Sequence, residues 1–220
     1  MSSEVTRKLA IVGASGHGKV VADLAEYLGY TISFYDDAYP QITHLEHWDI
    51  KGTMDDLLNL HPEQAVVIVA IGNNVIRETK LSLLHSKKFK SISLIHPTST
   101  VSKYATVGIG SVVLSGAVIN SFAKIGKGSI INTCAVVEHD CLLSDFVHLS
   151  PNATLAGGVK IGTRTWIGIG STVKQLVSIG CDTVIGAGST VLKNIGSNIV
   201  AYGSPATIVQ ENKKLLNNSK

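Results

Sequence analysis

The sequence predicts two kinds of fold in one chain: an α/β N-terminal domain, followed by a parallel β-helix built from hexapeptide repeats. Residues 8–95 alternate between buried-strand and helical patterns, which is typical of a parallel sheet covered by helices. From Ile95 onwards an aliphatic residue recurs every six positions, which is typical of a repeat architecture. We expect the α/β domain at 1–94, the β-helix at 95–198, and a closing segment with a tail at 199–220.

The N-terminal residues contain three apolar runs with strand character and three segments with helical apolar spacing. The predicted strands are 8–14, 31–37 and 65–72, and the predicted helices are 16–29, 53–61 and 74–89. Because each strand is followed by a helix, the strands are expected to pair in a small parallel sheet of Rossmann-like type.

The hexad pattern runs without interruption from Ile95 to Val191, and each sixth residue is Ile, Leu or Val. The position four residues later is nearly always small, as at Ala117 and Ala135, and a glycine such as Gly126 often follows the aliphatic residue. We expect both apolar positions to point inward and the glycines to relieve backbone strain at corners. Three hexads form a triangular coil of about eighteen residues. Any chemistry should therefore lie on the sides of this prism and between subunits.

Composition and charge exclude several classes of function. The net charge is only +3, and no dense run of Lys and Arg suggests a nucleic-acid partner. The longest apolar run, 65–71, is too short to span a bilayer, and the first residues lack the apolar segment of a signal peptide. Three cysteines do not suggest a disulfide framework. We expect a cytoplasmic protein that does not insert into membranes.

Ionisable residues interrupt the apolar repeat at Glu138, His139 and Asp140. His139 lies two places after the inward Val137 and should point outward, where a neutral imidazole can accept a proton. A neighbouring carboxylate can orient such a ring. The alternative is a polar edge without chemistry. A zinc site would need a third ligand beside His139 and His148, and none is evident, so no metal is expected.

The segment "GASGHG" follows the first predicted strand and opens the first predicted helix. Glycines there let the backbone approach a phosphate, whose charge a helix N-terminus favours. The acidic pair about twenty residues later can hold a ribose or a base, and the end of the third strand should face the same crevice. The candidate substrate-binding residues are Ser15, Gly16, His17, Gly18, Asp36, Asp37, Gly72 and Asn73. The alternative for the glycines is a tight turn.

The hexads resemble those of the left-handed β-helix acyltransferases, which are generally trimers that bind acetyl-CoA between neighbouring prisms. Together with "GASGHGKVVAD", "YDD", "EHD" and the closing "AYGSPAT", they resemble the bacterial sugar acetyltransferases of the sialic-acid O-acetyltransferase type over almost the whole chain. The resemblance implies a left-handed β-helix, a homotrimer, acetyl-CoA as donor and a UDP-linked amino sugar as acceptor.

The resemblance also implies roles for particular residues. His139 would be the general base, and Asp140 its helper in place of a glutamate, with Glu138 as the alternative helper. Asn132 would contact the substrate. The acetyl-CoA contacts would be His148, Gly157, Ile169 and Ala187, the last in place of a glycine; plain repeat structure or, for His148, a surface position at a corner are the alternatives.

The activity that the resemblance favours is direct acetyl transfer to the 4-amino group of a UDP-linked amino-dideoxy sugar of the bacillosamine type. O-acetylation of a hydroxyl, as on sialic acid, uses the same fold and base and stays open. Two other classes are a nucleotide-dependent oxidoreductase and a non-catalytic trimeric scaffold. The shortened glycine pattern disfavours the oxidoreductase, and the ionisable interruption disfavours the scaffold. The glycan pathway stays open.

Overall fold

The computed structural model describes residues 7–212, which divide between Leu94 and Ile95 into two compact units. The first unit contains a five-stranded sheet in the order β3-β4-β2-β1-β5 with three helices. Its strands are β1 (Arg7–Val12), β2 (Tyr30–Tyr35), β3 (His44–Leu45), β4 (Trp48–Gly52) and β5 (Val66–Val69). Its helices are α1 (Gly16–Tyr27), α2 (Met54–Leu58) and α3 (Asn74–Ser86).

The centre of this sheet follows the predicted pattern. Strand β1 pairs in parallel with β2 on one side and with β5 on the other. Ile11 and Ile68 are completely buried, as a strand between two covered faces requires. Helix α1 starts directly against the sheet, since a Cβ on Gly18 would meet the carbonyl oxygen of Gly13 at 2.4 Å. The turn after β1 is therefore tight and fixed.

Two strands at the edge of the sheet were missed from the sequence. Strand β3 has two residues and pairs antiparallel with β4, which joins β2 in parallel. Edge strands need only one apolar face, and most residues of β3 and β4 are exposed or half-buried. The alternation in so short a segment is too weak to predict a strand.

The second unit is a triangular prism of two-residue strands, one in each hexad. Each strand pairs in parallel with the strand eighteen residues later, as Val118 does with Val136. The first side consists of β7 (Thr100–Val101), β10 (Val118–Ile119), β13 (Val136–Val137), β16 (Thr154–Leu155), β19 (Thr172–Val173) and β22 (Thr190–Val191). The second side consists of β8 (Thr106–Val107), β11 (Lys124–Ile125), β14 (Leu142–Leu143), β17 (Lys160–Ile161) and β20 (Ser178–Ile179). The third side consists of β6 (Leu94–Ile95), β9 (Val112–Val113), β12 (Ile130–Ile131), β15 (His148–Leu149), β18 (Trp166–Ile167) and β21 (Val184–Ile185).

The core of the prism is formed by the two inward positions of each hexad. From Val113 to Val191 the large inward residue is never more than 4% exposed, and Ala117, Ala135 and Cys141 at the small position are completely buried. Ile95 departs from the prediction with 38% exposure. It lies in the first coil, which has a neighbouring coil on one side only.

The glycines that follow the aliphatic residues have a different role from the predicted one. Gly126 does not have a left-handed backbone; instead, a Cβ there would lie 2.5 Å from the carbonyl carbon of Ser144 in the next coil. These glycines therefore allow close approach between coils. The left-handed backbone falls two residues later, at positions such as Gly128 and Gly110.

An antiparallel hairpin closes the prism by adding β23 (Ile199–Gly203) and β24 (Ala206–Glu211) to the third side. Residues 213–220 of the predicted tail lie outside the described residues. Within residues 7–212, none of the helices has the length and apolar character required to cross a membrane.

Candidate active site

The predicted catalytic pair lies at a corner of the prism, in the turn between β13 on the first side and β14 on the second. The backbone of Asp140 is left-handed, with φ of 61°, which turns its carboxylate back towards the preceding residue. The Nδ1 atom of His139 lies 2.8 Å from Oδ2 of Asp140 and donates a hydrogen bond to it. Both side chains are more than 60% exposed. The imidazole is thus oriented by a carboxylate and remains accessible to a ligand.

The other acidic residue of this segment has a different partner. Glu138 accepts a hydrogen bond of 2.9 Å from Nδ2 of Asn120, one coil earlier on the first side. The geometry therefore places Asp140, and not Glu138, beside the imidazole of His139.

Gly157 lies one coil beyond His139 at the same corner. A Cβ at Gly157 would lie 2.6 Å from both Cε1 and Nε2 of the imidazole. The absence of a side chain at this position gives the ring its space. Sequence reasoning assigned Gly157 only to the donor groove and missed this contact, although the eighteen-residue period places the two residues next to each other.

A second polar group lies on the third side of the prism. His148 begins β15 and is only 9% exposed, so it is a buried residue of a flat side and not a surface histidine at a corner. Its Nε2 lies 3.3 Å from Nδ2 of Asn132, whose Oδ1 accepts a hydrogen bond from the Thr133 amide. Its ring also stacks on the indole of Trp166, a residue that the sequence analysis missed.

The predicted site residues of the prism are not all brought together within one chain. His139, Asp140 and Gly157 lie at the corner between the first and second sides, whereas Asn132 and His148 lie on the third side. In a triangular prism that corner is opposite the third side. Ile169 and Ala187 are exposed at the corner where the third side turns into the first.

In the N-terminal unit, the predicted phosphate-binding segment is the start of α1. Its N-cap residue, Ser15, makes no side-chain capping hydrogen bond, and the first turn contains no acidic residue. Gly16 has nothing within 4 Å of an added Cβ, so the backbone there is open to a ligand. Among the described residues Nε2 of His17 is buried without a hydrogen-bond partner. Burial, helped by the positive charge of Arg77, lowers the pKa of His17 to about 4.

The two predicted acidic ligands are engaged with the protein itself. Asp36 accepts hydrogen bonds from the amides of Ala14 (2.7 Å) and Ala38 (2.9 Å), which ties the glycine loop to the end of β2. Asp37 accepts from the Met54 amide and from Lys80, and the Lys80 hydrogen bond lowers the pKa of Asp37. Their contacts indicate that both carboxylates position loops.

The loop after β5 holds the last predicted substrate residues. Asn73 is the N-cap of α3 and accepts hydrogen bonds from the amides of Val75 and Ile76. Arg77, which is 1% exposed, donates to the carbonyl oxygens of Ile71 (2.8 Å) and Gly72 (3.1 Å). Burial lowers the pKa of Arg77 to about 9. Sequence reasoning missed this arginine, although it lies on the apolar stripe of α3.

Fold and site together define a hexapeptide-repeat protein with an α/β domain and a histidine–carboxylate pair at one corner of the prism. Comparisons with known proteins identify the family. Residues 8–84 match the PglD N-terminal domain. The chain is 38% identical over 113 residues to UDP-N-acetylbacillosamine N-acetyltransferase of Bacillus subtilis (strain 168). That match covers 50% of this chain and 52% of the relative, so the chain spans about half the length of the curated relative that it matches.

Solved structures match over nearly the whole chain. The acetyltransferase domain of PglB from Neisseria gonorrhoeae FA1090 is 41% identical, with a TM-score of 0.89, and the match covers 93% of this chain and 100% of that one. A mutant perosamine N-acetyltransferase from Caulobacter crescentus, solved with CoA and GDP-perosamine, is 34% identical with a TM-score of 0.89 over 93% of this chain and 97% of that one. The chain belongs to this family of bacterial hexapeptide-repeat sugar acetyltransferases. The predicted family and the predicted left-handed β-helix are confirmed.

The contact between Gly157 and His139 generates a first prediction. We expect Gly157→Ala to push the imidazole away from Asp140, because the new methyl group would occupy the position of the ring edge. The cost in stability should be small, within about 0.5 kcal/mol, since an exposed side chain can rotate away. A crystal structure of the variant, with thermal unfolding, measures both effects.

Gly196→Ala is the matched control, because nothing lies within 4 Å of an added Cβ there. An imidazole that keeps its hydrogen bond to Asp140 in the Gly157→Ala protein would contradict the prediction.

His17, a half-buried residue whose Nε2 atom is buried, generates a second prediction. Its pKa of about 4 in the folded protein is below the ordinary 6.5, so the unfolded chain binds the proton more tightly. Stability from this residue is therefore complete above pH 6.5 and falls as the pH is lowered towards 4, by on the order of 3 kcal/mol. Replacing it in His17→Gln should remove this part of the acid sensitivity. Urea unfolding between pH 7 and pH 4 measures the difference.

Exposed His61 in the same unit gives the control variant His61→Gln. Equal acid sensitivity in the wild-type and His17→Gln proteins would show that His17 titrates normally in the folded state.

Proposed function

We propose that this protein transfers the acetyl group of acetyl-CoA to the 4-amino group of a UDP-linked amino-dideoxy sugar of the bacillosamine type. The observation that carries the proposal is the exposed imidazole of His139 with its Nδ1 held by Asp140 at 2.8 Å. The acetyltransferase domain of PglB was also solved in complex with acetyl coenzyme A, which supports the donor.

In the proposed mechanism His139 is the general base. The hydrogen bond from Nδ1 to Asp140 leaves the lone pair on Nε2 available. The sugar amine attacks the thioester carbonyl carbon, a C–N bond forms, and Nε2 takes a proton from the amine nitrogen. As the tetrahedral intermediate collapses, the C–S bond breaks and the CoA sulfur leaves with its electron pair. It recovers a proton from the imidazolium, which Asp140 stabilises.

Backbone groups of the N-terminal unit would bind the nucleotide part of the acceptor. The start of α1 presents amides that the side chain of the N-cap residue Ser15 does not cap, beside the open backbone of Gly16, and a diphosphate suits such a site. Asp36 and Arg77 would act by fixing the loops after β1 and β5. Neutral His17 would contribute a hydrogen bond and no charge.

The position of His148 and Asn132 supports assembly into a homotrimer. Under the proposal His148 and Asn132 act with His139, yet they lie on the side of the prism opposite its corner. A complete site then needs the corner of one copy and the third side of another. Contact between two different surfaces is heterologous, and closing it generates a ring rather than a two-fold dimer. The family resemblance favours three copies in that ring.

A second acceptor is suggested by relatives that act on GDP-perosamine, among them the perosamine N-acetyltransferase from Caulobacter crescentus that was solved with GDP-perosamine and the GDP-perosamine N-acetyltransferase of Escherichia coli O157:H7. The chemistry would be the same, with guanine in place of uracil. The backbone amides at the start of α1 would bind the diphosphate that both nucleotides share, so these amides would not by themselves distinguish the two bases.

We expect the purified protein to release CoA thiol with acetyl-CoA and UDP-4-amino-4,6-dideoxy-N-acetylglucosamine, but not with its 4-hydroxy analogue. His139→Ala should lower kcat by about 10²- to 10⁴-fold, because the general base is lost. Asp140→Asn should lower it less, and His96→Ala, a histidine elsewhere on the prism, should have no effect. A thiol-detection assay measures each rate.

Other acceptors in the same assay separate the remaining functions. Turnover with GDP-perosamine alone would show that the substrate is a GDP-linked sugar. Turnover with sialic acid alone would show that the acceptor atom is oxygen. No turnover with any acceptor and no binding of acetyl-CoA would contradict the proposal and favour the scaffold.

Mixing two inactive variants tests the shared site. We expect His139→Ala and His148→Ala proteins to be inactive alone, while their co-expression should restore about one quarter of wild-type activity, because random assembly leaves one site in four with both histidines. That quarter refers to the unfractionated co-expressed protein. Different affinity tags on the two variants allow mixed trimers to be purified, and these should have about one third of wild-type activity, because one of their three sites contains both histidines. Mixed trimers without activity would show that both histidines act within one chain.

A further inference from the structure

Trp166 lies directly over His148 on the third side of the prism. Both residues begin a strand, and the register of β15 and β18 pairs them. Their rings are parallel within 2°, with centroids 5.4 Å apart. This is a stacked pair, and its geometry is fixed by two adjacent backbone ladders.

The indole is held by a second contact. Its Nε1 donates a hydrogen bond of 2.7 Å to Oγ of Ser150, which is 5% exposed and lies two residues after His148. Rotation of the Trp166 side chain about its torsion angles would therefore break this hydrogen bond. On its other side the imidazole of His148 lies 3.3 Å from Asn132. The imidazole of His148 thus lies between the side-chain amide of Asn132 and the indole of Trp166.

The size of the residue at this position is unusual within its column. Apart from His148, the other strand-initial residues of the prism on the third side are all aliphatic: Leu94, Val112, Ile130 and Val184. Trp166 is 44% exposed in the single chain, and its indole contacts both His148 and Ser150.

We propose that Trp166 is a positioning residue, which holds the imidazole of His148 in the orientation that contacts acetyl-CoA. The inference rests on the donor role of His148 in the proposed function. The indole itself does not take part in the transfer. It limits the rotation of His148 through the stack, and the hydrogen bond to Ser150 keeps the indole in place.

The first measurement detects the stack without any substrate. An indole ring shifts the proton resonances of an imidazole stacked on it to high field. Spectra of histidine-labelled protein should show such a shift for His148, assigned by its loss in His148→Asn. We expect the shift to disappear in Trp166→Leu and to be largely retained in Trp166→Phe. A His148 signal that is unchanged in Trp166→Leu would overturn the proposal.

The second measurement is the affinity for acetyl-CoA, by calorimetry on the assembled protein. Loss of the stack in Trp166→Leu should weaken binding about two- to tenfold, and Trp166→Phe should restore most of it. Ser150→Ala is the matched control that keeps the indole and removes its anchor, so its effect should be smaller. In turnover assays the KM for acetyl-CoA should rise while the KM for the sugar stays constant.

The two proposals fail in different ways. A wild-type protein that does not bind acetyl-CoA would refute the proposed function and this inference together. Wild-type and Trp166→Leu proteins with equal affinity and equal melting temperature would refute only the positioning role. Loss of affinity in Trp166→Phe equal to that in Trp166→Leu would also refute it, since Phe preserves the stack.

Discussion

The hydrogen bonds between coils of the prism are the constraint on which the rest of this structure depends. Each strand is joined to the strand eighteen residues later, as in the pairs Ile130–His148 and His148–Trp166. Adjacent parallel strands are about 4.8 Å apart, so side chains separated by eighteen residues stack directly on one another. Residues that are eighteen positions apart in the sequence therefore become neighbours in the structure. The Asn120–Glu138 hydrogen bond, the Arg164–Asp182 ion pair and the Gly157–His139 contact all have this separation.

The same ladder explains why an aspartate suits the position beside the imidazole. Most corners of the prism contain a residue with a left-handed backbone, and the residues one coil before and after Asp140, namely Phe122 and Gly158, have positive φ as well. Aspartate tolerates this conformation better than glutamate does. Its shorter side chain is sufficient, because the left-handed turn brings the carboxylate to 2.8 Å from Nδ1 of His139. The same aspartate therefore adopts the left-handed backbone of the corner at little cost and orients the imidazole of His139.

The sequence predicted the parts of the fold that follow the six-residue period, since the hexad register identified the inward residues. The three ionisable residues that interrupt the apolar repeat, Glu138 to Asp140, indicated a candidate site, and the structure places them at a corner of the prism. The periodicity did not predict which hydrogen bonds the two carboxylates form. Glu138 and Asp140 both flank His139 in the sequence, and only the structure shows that Glu138 binds Asn120 while Asp140 binds His139. The contact of Trp166 with His148 could have been predicted from the sequence, since Trp166 follows His148 by eighteen residues. The edge strands β3 and β4 carry too few residues for a pattern.

In the N-terminal unit, side-chain charges serve mainly to hold the loops at the carboxyl ends of the strands. Asp36 binds the loop after β1, Asp37 binds the start of α2 and Lys80, and Arg77 binds the loop after β5. His17 stays neutral near pH 7, since its pKa is about 4. Under the proposed function a diphosphate would therefore be recognised by backbone amides and the dipole of α1. These amides would bind the phosphates and not the base. The same glycine loop would therefore suit relatives named for UDP-linked and for GDP-linked sugars.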